Sequence, residues 1–104
     1  MKKKDVELVE YLARIYRHDQ LMLLMSDGLA VCEGEDFERY LQAEDFVNLI
    51  DMYLESLSDE QQLLLRNTFF NCQNKEWFKK FYGKSAYRRK KEEAVEAFVR
   101  CFTS

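Results

Sequence analysis

The sequence predicts an all-α fold, a compact domain of five or six helices, and three observations support that prediction. The chain has 104 residues, of which 47% are hydrophobic, enough for one domain with a real core. It contains no proline and only three glycines, which leaves little turn chemistry for a hairpin-rich β protein. Apolar residues recur at three- and four-residue spacing along most of the chain, as is typical of amphipathic helices.

The first helix is predicted from about Asp5 to Met25. Its apolar stripe consists of residues three or four positions apart, extended near its end: Val6, Val9, Leu12, Ala13, Tyr16, Leu21 and Leu24. Gly28 suits a left-handed C-cap. Residues 29–35 are predicted as a loop, with Gly34 as a second helix breaker.

The second helix is predicted from about Asp36 to Leu57. Its apolar face is formed by aromatic and aliphatic side chains: Phe37, Tyr40, Leu41, Phe46, Val47, Ile50, Tyr53 and Leu54. The polar stretch Gln42–Asp45 interrupts this face. The segment is therefore either one helix or two shorter ones.

The third helix has the clearest local start in the chain. Ser58 precedes Gln61 by three residues, which is a capping-box pattern, and two acids occupy the first turn. This helix is predicted to continue to about Phe70.

Two further helices are predicted in the C-terminal third. Asn74 is a good N-cap for a helix from Lys75 to Tyr82. Gly83 is expected in the turn after it, in a left-handed conformation that is cheap for glycine. Ser85 is expected to cap the last helix, whose apolar face consists of Tyr87, Ala94, Val95, Phe98, Cys101 and Phe102.

Charge is divided unevenly along the chain, although the formal net charge is only -3. Residues 1–73 hold seven Lys and Arg against fifteen Asp and Glu, a balance of -8, whereas residues 74–104 hold nine against four, a balance of +5. A basic helical start behind a tight turn can supply phosphate contacts and base-edge donors in a DNA major groove. The alternative is a solvated helix face on which Arg88 and Arg89 pair with the glutamates four residues later. The sequence alone leaves both interpretations open.

From Leu57 onward the predicted order is that of a helix-turn-helix: a capped helix, a polar turn, a short helix, a glycine turn and a longer basic helix. Three stretches resemble region 4 of sigma-70-type factors and, more closely, the small phage regulators of the ArpU type: Leu57–Gln61, Phe69–Phe70 and Ser85–Val95. The first matches a leucine followed by an acidic helical turn, and the second an aromatic after that helix. The third matches a serine, an aromatic, arginine and a lysine pair before a small and a hydrophobic residue.

The resemblance implies a small, non-catalytic DNA-binding transcription regulator, related to phage proteins. Residues 58–104 would form the helix-turn-helix part. Residues 1–57 would form an acidic helical part that dimerises or docks onto another protein such as RNA polymerase, and both would pack as one compact unit. The residues expected to contact double-stranded DNA are the basic and polar ones around the glycine turn: Lys75, Lys79, Lys80, Lys84, Ser85, Tyr87, Arg88, Arg89 and Lys91.

The alternative function is a helical protein–protein interaction module, an adaptor or structural protein that binds no nucleic acid. An enzyme is not expected, because the sequence contains no phosphate-binding glycine loop, nucleophile elbow or zinc-protease motif. The three cysteines are widely spaced and His18 is the single histidine, so neither a metal site nor a cofactor is expected. No apolar run reaches the length of a membrane span, and we expect a cytoplasmic protein with reduced thiols.

Overall fold

Four α-helices account for most of the residues that the computed structural model describes, which are 3–25, 34–71 and 73–103. They are α1 (Lys3–Met25), α2 (Gly34–Glu55), α3 (Asp59–Leu65) and α4 (Lys84–Thr103), and no β-strand occurs among the described residues. The all-α prediction is confirmed. The predicted cap at Gly28 and the thiols of Cys32 and Cys72 lie outside the described residues, while Cys101 is half-buried and its sulfur lies 3.6 Å from the hydroxyl oxygen of Ser56.

The second helix is one continuous element, so the interpretation as two shorter helices is wrong. α2 runs through Gln42–Asp45 without a break because Ala43, in the middle of that stretch, faces the interior with only 3% of its surface exposed. A small side chain thus carries the packed face across the polar interruption. The helix also begins at Gly34, where the sequence predicts a loop.

The start of α3 is as predicted, and helical backbone continues to Phe70 as predicted, but its last five residues are π-helical. The Ser58 hydroxyl accepts the backbone N–H of Gln61 at 3.2 Å, which confirms the N-cap. Beyond Leu65 the chain widens into a π-helical turn, Arg66–Phe70, closed by a 2.6 Å bond from the N–H of Asn71 to the carbonyl of Arg66 five residues earlier. In this turn both Phe69 and Phe70 are buried.

One hydrophobic core joins all four helices. Its members come from each helix and from the π turn: Val9, Leu12, Ala13, Tyr16, Val47, Ile50, Leu54, Leu64, Leu65, Phe69, Phe70, Ala94, Val95 and Phe98. A group of polar contacts lies at the edge of this core. The Tyr16 hydroxyl donates to an Asp51 carboxylate oxygen at 2.8 Å, and Arg66 of the π turn approaches that same oxygen at 3.4 Å. Burial, followed by the hydrogen bond to the Asp51 carboxylate, raises the pKa of Tyr16.

The prediction of an α-helix from Lys75 to Tyr82 is wrong. The structure has a 3₁₀ turn of four residues there, Trp77–Lys80. A side-chain oxygen of Asn74 accepts the N–H of Glu76 at 3.0 Å, which starts a local turn in place of a helical ladder. An eight-residue helix forms too few backbone bonds to offset its nucleation, so tertiary contacts decide the conformation.

The role predicted for Gly83 is also wrong. Its backbone lies outside the left-handed region, and apart from Gly83 itself and its two chain neighbours no described residue lies within 4 Å of the position that a Cβ would take. Its carbonyl accepts the N–H of Tyr87 at 2.9 Å, the first backbone bond of α4, so Gly83 occupies the N-cap position. Ser85, predicted as the cap, therefore lies inside the first turn of α4.

Candidate nucleic-acid interface

The two halves of α4 have different surroundings. The second half supplies Ala94, Val95 and Phe98 to the core, each with no exposed surface. In the first two turns the side chains that face solvent are polar or basic: Lys84, Ser85, Arg88 and Arg89. The hydrophobic stripe of α4 is thus buried at one end, and the same helix presents a cationic face at the other.

The structure separates the two arginines that the sequence left undecided. Arg88 lies 3.8 Å from Glu92 one turn later, with 82% of its side chain exposed. An exposed pair at that distance contributes little and leaves the guanidinium available. Arg89 is exposed and makes no ion pair with any residue that the structure describes.

Two lysines of the basic part of the chain, residues 74–104, lie close to glutamate carboxylates. The ammonium of Lys79 lies 2.9 Å from Glu76, and that of Lys90 lies 3.3 Å from Glu60 in the first turn of α3. Glu60 also accepts the hydroxyl of Tyr82 at 3.0 Å. The Tyr82 hydrogen bond first, and Lys90 second, hold the pKa of the Glu60 carboxyl below its ordinary value.

Tyr87 packs against the segment that precedes α4. Its ring stacks on Phe78 with the two ring centres 3.8 Å apart and 2° between the planes, and it meets Trp77 edge-on at 5.9 Å. Its hydroxyl is 2.9 Å from the hydroxyl of Thr68 in the π turn. These contacts hold residues 74–83, which we name the turn segment, against the first half of α4. The sequence predicts Tyr87 as a DNA contact, and the structure commits both its ring and its hydroxyl to packing.

A groove of about 810 Å³ opens between α1, the π turn and the first half of α4. Four cations line it: Arg14 and Arg17 from α1, Lys75 from the turn segment, and Lys91 from α4. Among the described residues of its lining, Glu10 is the one acid. We call this the basic groove.

Arg14 and Arg17 of α1 are not among the DNA contacts that the sequence predicts, because they lie in the acidic part of the chain. Their spacing was the available indication, since residues three apart share one face of a helix. Arg17 is tied to the opposite wall, where a guanidinium N–H donates to the carbonyl of Phe69 in the π turn. The association of Arg14 and Arg17 with the basic C-terminal third is a tertiary contact and does not follow from the charge count.

The predicted DNA-contact residues line three clefts or lie exposed outside them. Lys75, Tyr87 and Lys91 line the basic groove. A neighbouring cleft of about 340 Å³ is lined by Lys84, Ser85 and Arg88, and also by Tyr87 and Lys91. Lys79 lies in a third cleft, and Lys80 and Arg89 are exposed outside these three.

Comparisons of the chain with family models, with curated proteins and with solved structures found no match. Within the described residues, no helix has the length and apolar character needed to cross a membrane.

Proposed function

We propose that the chain is a small, non-catalytic protein that binds double-stranded DNA through the first half of α4 and the turn segment. The observation that carries the proposal is the exposed cationic start of α4, where Lys84, Arg88 and Arg89 face solvent. Cations on one face of a protein supply the sequence-independent part of DNA affinity, and exposed side chains at a helix start can reach base edges.

The finer proposal is a transcription regulator of the sigma-region-4 type, similar to the ArpU-type phage regulators. α3, the turn segment and α4 would then serve as the helix-turn-helix, with the 3₁₀ turn in place of the predicted middle helix and four α-helices in place of five or six. α1 and α2 would dimerise or dock onto RNA polymerase. Such a protein would act in the cytoplasm.

The experiment is a fluorescence-anisotropy titration of a labelled duplex at two salt concentrations. Replacing Arg88 and Arg89 together by alanine is expected to weaken binding and to lower the slope of log affinity against log salt by about two, because each phosphate contact contributes about one. The matched control replaces Arg39 of α2 and Arg100 near the end of α4, which changes the net charge equally. If the Arg88 and Arg89 double variant binds the duplex like the wild type, as the control variant does, then Arg88 and Arg89 are not the DNA contacts.

The second candidate function is the protein–protein interaction module, and the outward face of α2 favours it. Four large apolar side chains are between 38% and 56% exposed on that helix: Phe37, Leu41, Leu49 and Met52. Exposed apolar groups on one element are typical of interaction surfaces. The same titration separates the two functions, since an interaction module shows no salt-sensitive binding to a random duplex.

A further inference from the structure

We infer that the basic groove is a binding site for a chain of phosphate groups, and that α1 contributes to it through Arg14 and Arg17. The sequence assigns α1 to an acidic part with no role toward nucleic acid. Where the phosphates belong to duplex DNA, the inference rests on the proposed function. Where they belong to a free polyphosphate, it stands independently.

Of the two clefts that α1 lines, this groove is the one with an excess of positive charge. The described residues of its lining include four cations and one acid. The adjoining cleft between α1 and α4 is balanced, because it is lined by three cations and three acids beside Val6: Lys3, Arg88, Lys91, Glu7, Glu10 and Glu92. An anion is therefore favoured where Arg14, Arg17 and Lys75 meet Lys91, and not along the whole face of α1.

The cations come from three elements that are fixed relative to one another. Arg17 is anchored on the Phe69 carbonyl, and Tyr87 holds the turn segment that carries Lys75. Charges already held in place around a concave site lose less conformational entropy on binding than free surface side chains do. The groove, of about 810 Å³, has room for more than one phosphate group.

The aromatic side chains of the groove favour phosphate over base recognition. Phe78 covers one face of the Tyr87 ring, and the ammonium of Lys91 lies over the ring, 5.5 Å from its centre. A nucleobase therefore cannot stack on the face of Tyr87 that Phe78 covers.

The test uses two probes, a labelled random 20-base-pair duplex and inorganic tripolyphosphate. Binding of the first is measured by anisotropy, and binding of the second by calorimetry and by the rise in the unfolding temperature. Arg14→Gln is expected to weaken binding about three- to fivefold, and Glu10→Gln to strengthen it by a similar factor, as for one exposed charge contact. The matched controls are Arg39→Gln and Glu44→Gln, exposed residues on α2, which are expected to leave both affinities unchanged.

Every outcome bears on the inference. A gain of affinity in Glu10→Gln cannot come from misfolding, so it supports the groove even if Arg14→Gln proves unstable. If Arg14→Gln and Glu10→Gln bind both probes as their α2 controls do, the inference is overturned, and the proposed function stands if the duplex still binds through Arg88 and Arg89. If the wild type binds tripolyphosphate but no duplex, the proposed function fails and the groove remains. If it binds neither, both fail.

Discussion

The molecule contains two clusters of five aromatic rings that differ in burial and in what they join. The core cluster consists of Tyr16, Tyr53, Phe70, Phe98 and Phe102, with neighbouring ring centres 5.3 to 6.5 Å apart in edge-on contacts. The turn cluster consists of Trp77, Phe78, Phe81, Tyr82 and Tyr87. Tyr16, Phe70 and Phe98 are almost completely buried, whereas Phe81 of the turn cluster is 68% exposed.

Because of this difference, we expect the core cluster to matter for folding and the turn cluster for the proposed binding. The core cluster connects α1, α2, the π turn and α4, so the whole domain depends on it. The turn cluster lies within residues 77–87 and connects a short 3₁₀ turn to one helix. Its loss is expected to release the turn that carries Lys75 and Lys79 while the four helices stay packed. Stability and binding can thus be changed separately.

The largest expected effect is that of Phe98→Ala in the core cluster. Phe98 has no exposed surface and contacts the rings of Tyr53 and Phe70. Removing a buried ring leaves a cavity and costs about 3–5 kcal/mol of unfolding free energy. Urea denaturation followed by circular dichroism measures this loss, with Phe98→Leu, which leaves a smaller cavity, as the control expected to cost about 1.5 kcal/mol or less. A loss below that value for Phe98→Ala would mean that the core is not centred on this ring.

Compared with Phe98→Ala, Phe78→Ala is expected to lower the unfolding free energy less and to weaken duplex binding more. The ring is half-buried and stacked on Tyr87, so its removal costs about 1–2 kcal/mol. Trp77 is the single tryptophan of the chain and belongs to the same cluster, so its fluorescence reports release of the turn directly. We expect a red-shifted emission and weaker duplex binding with unchanged helix content. Phe81→Ala is the control, and an equal shift in that variant would contradict the central place of the stacked pair.

The two clusters also mark how far the sequence predicts the structure. Tyr16 and Phe98 lie on apolar stripes with helical spacing, and the Ser58 cap depends on residues three apart, so local patterns suffice. The turn segment depends on contacts between elements, such as Thr68 with Tyr87. The short predicted helix could not be distinguished from a 3₁₀ turn without them. The place of Arg14 beside Lys75 depends in the same way on how α1 crosses the π turn.

Acidification is expected to destabilise the turn segment, but less than Phe78→Ala does. The pKa of Glu60 is lowered from an ordinary value of 4.5 by the Tyr82 hydrogen bond and by Lys90. The contribution of Glu60 is therefore complete above its unfolded pKa and is lost as the pH falls through the lower folded pKa. Unfolding midpoints between pH 6 and pH 3 measure it. Glu60→Gln should flatten this dependence more than Asp59→Asn, the neighbouring first-turn acid that matches it in helix-dipole interaction. Equal flattening in the two variants would remove the special role of the Tyr82 contact.

Gly83→Ala is expected to have the smallest effect. At a left-handed position alanine is strained by about 1–2 kcal/mol, and the turn before α4 would be disturbed. Gly83 has neither a left-handed backbone nor, apart from its two chain neighbours, a described residue within 4 Å of its missing Cβ. At the N-cap, alanine is somewhat worse than glycine, and the stiffer unfolded chain offsets that loss. The unfolding free energy should therefore change by less than about 0.5 kcal/mol, with Trp77 emission and duplex affinity as in the wild type. A loss above 1 kcal/mol together with a shifted emission would return Gly83 to the left-handed turn position that the sequence predicts, and the turn would then depend on this glycine as well as on the stacked rings.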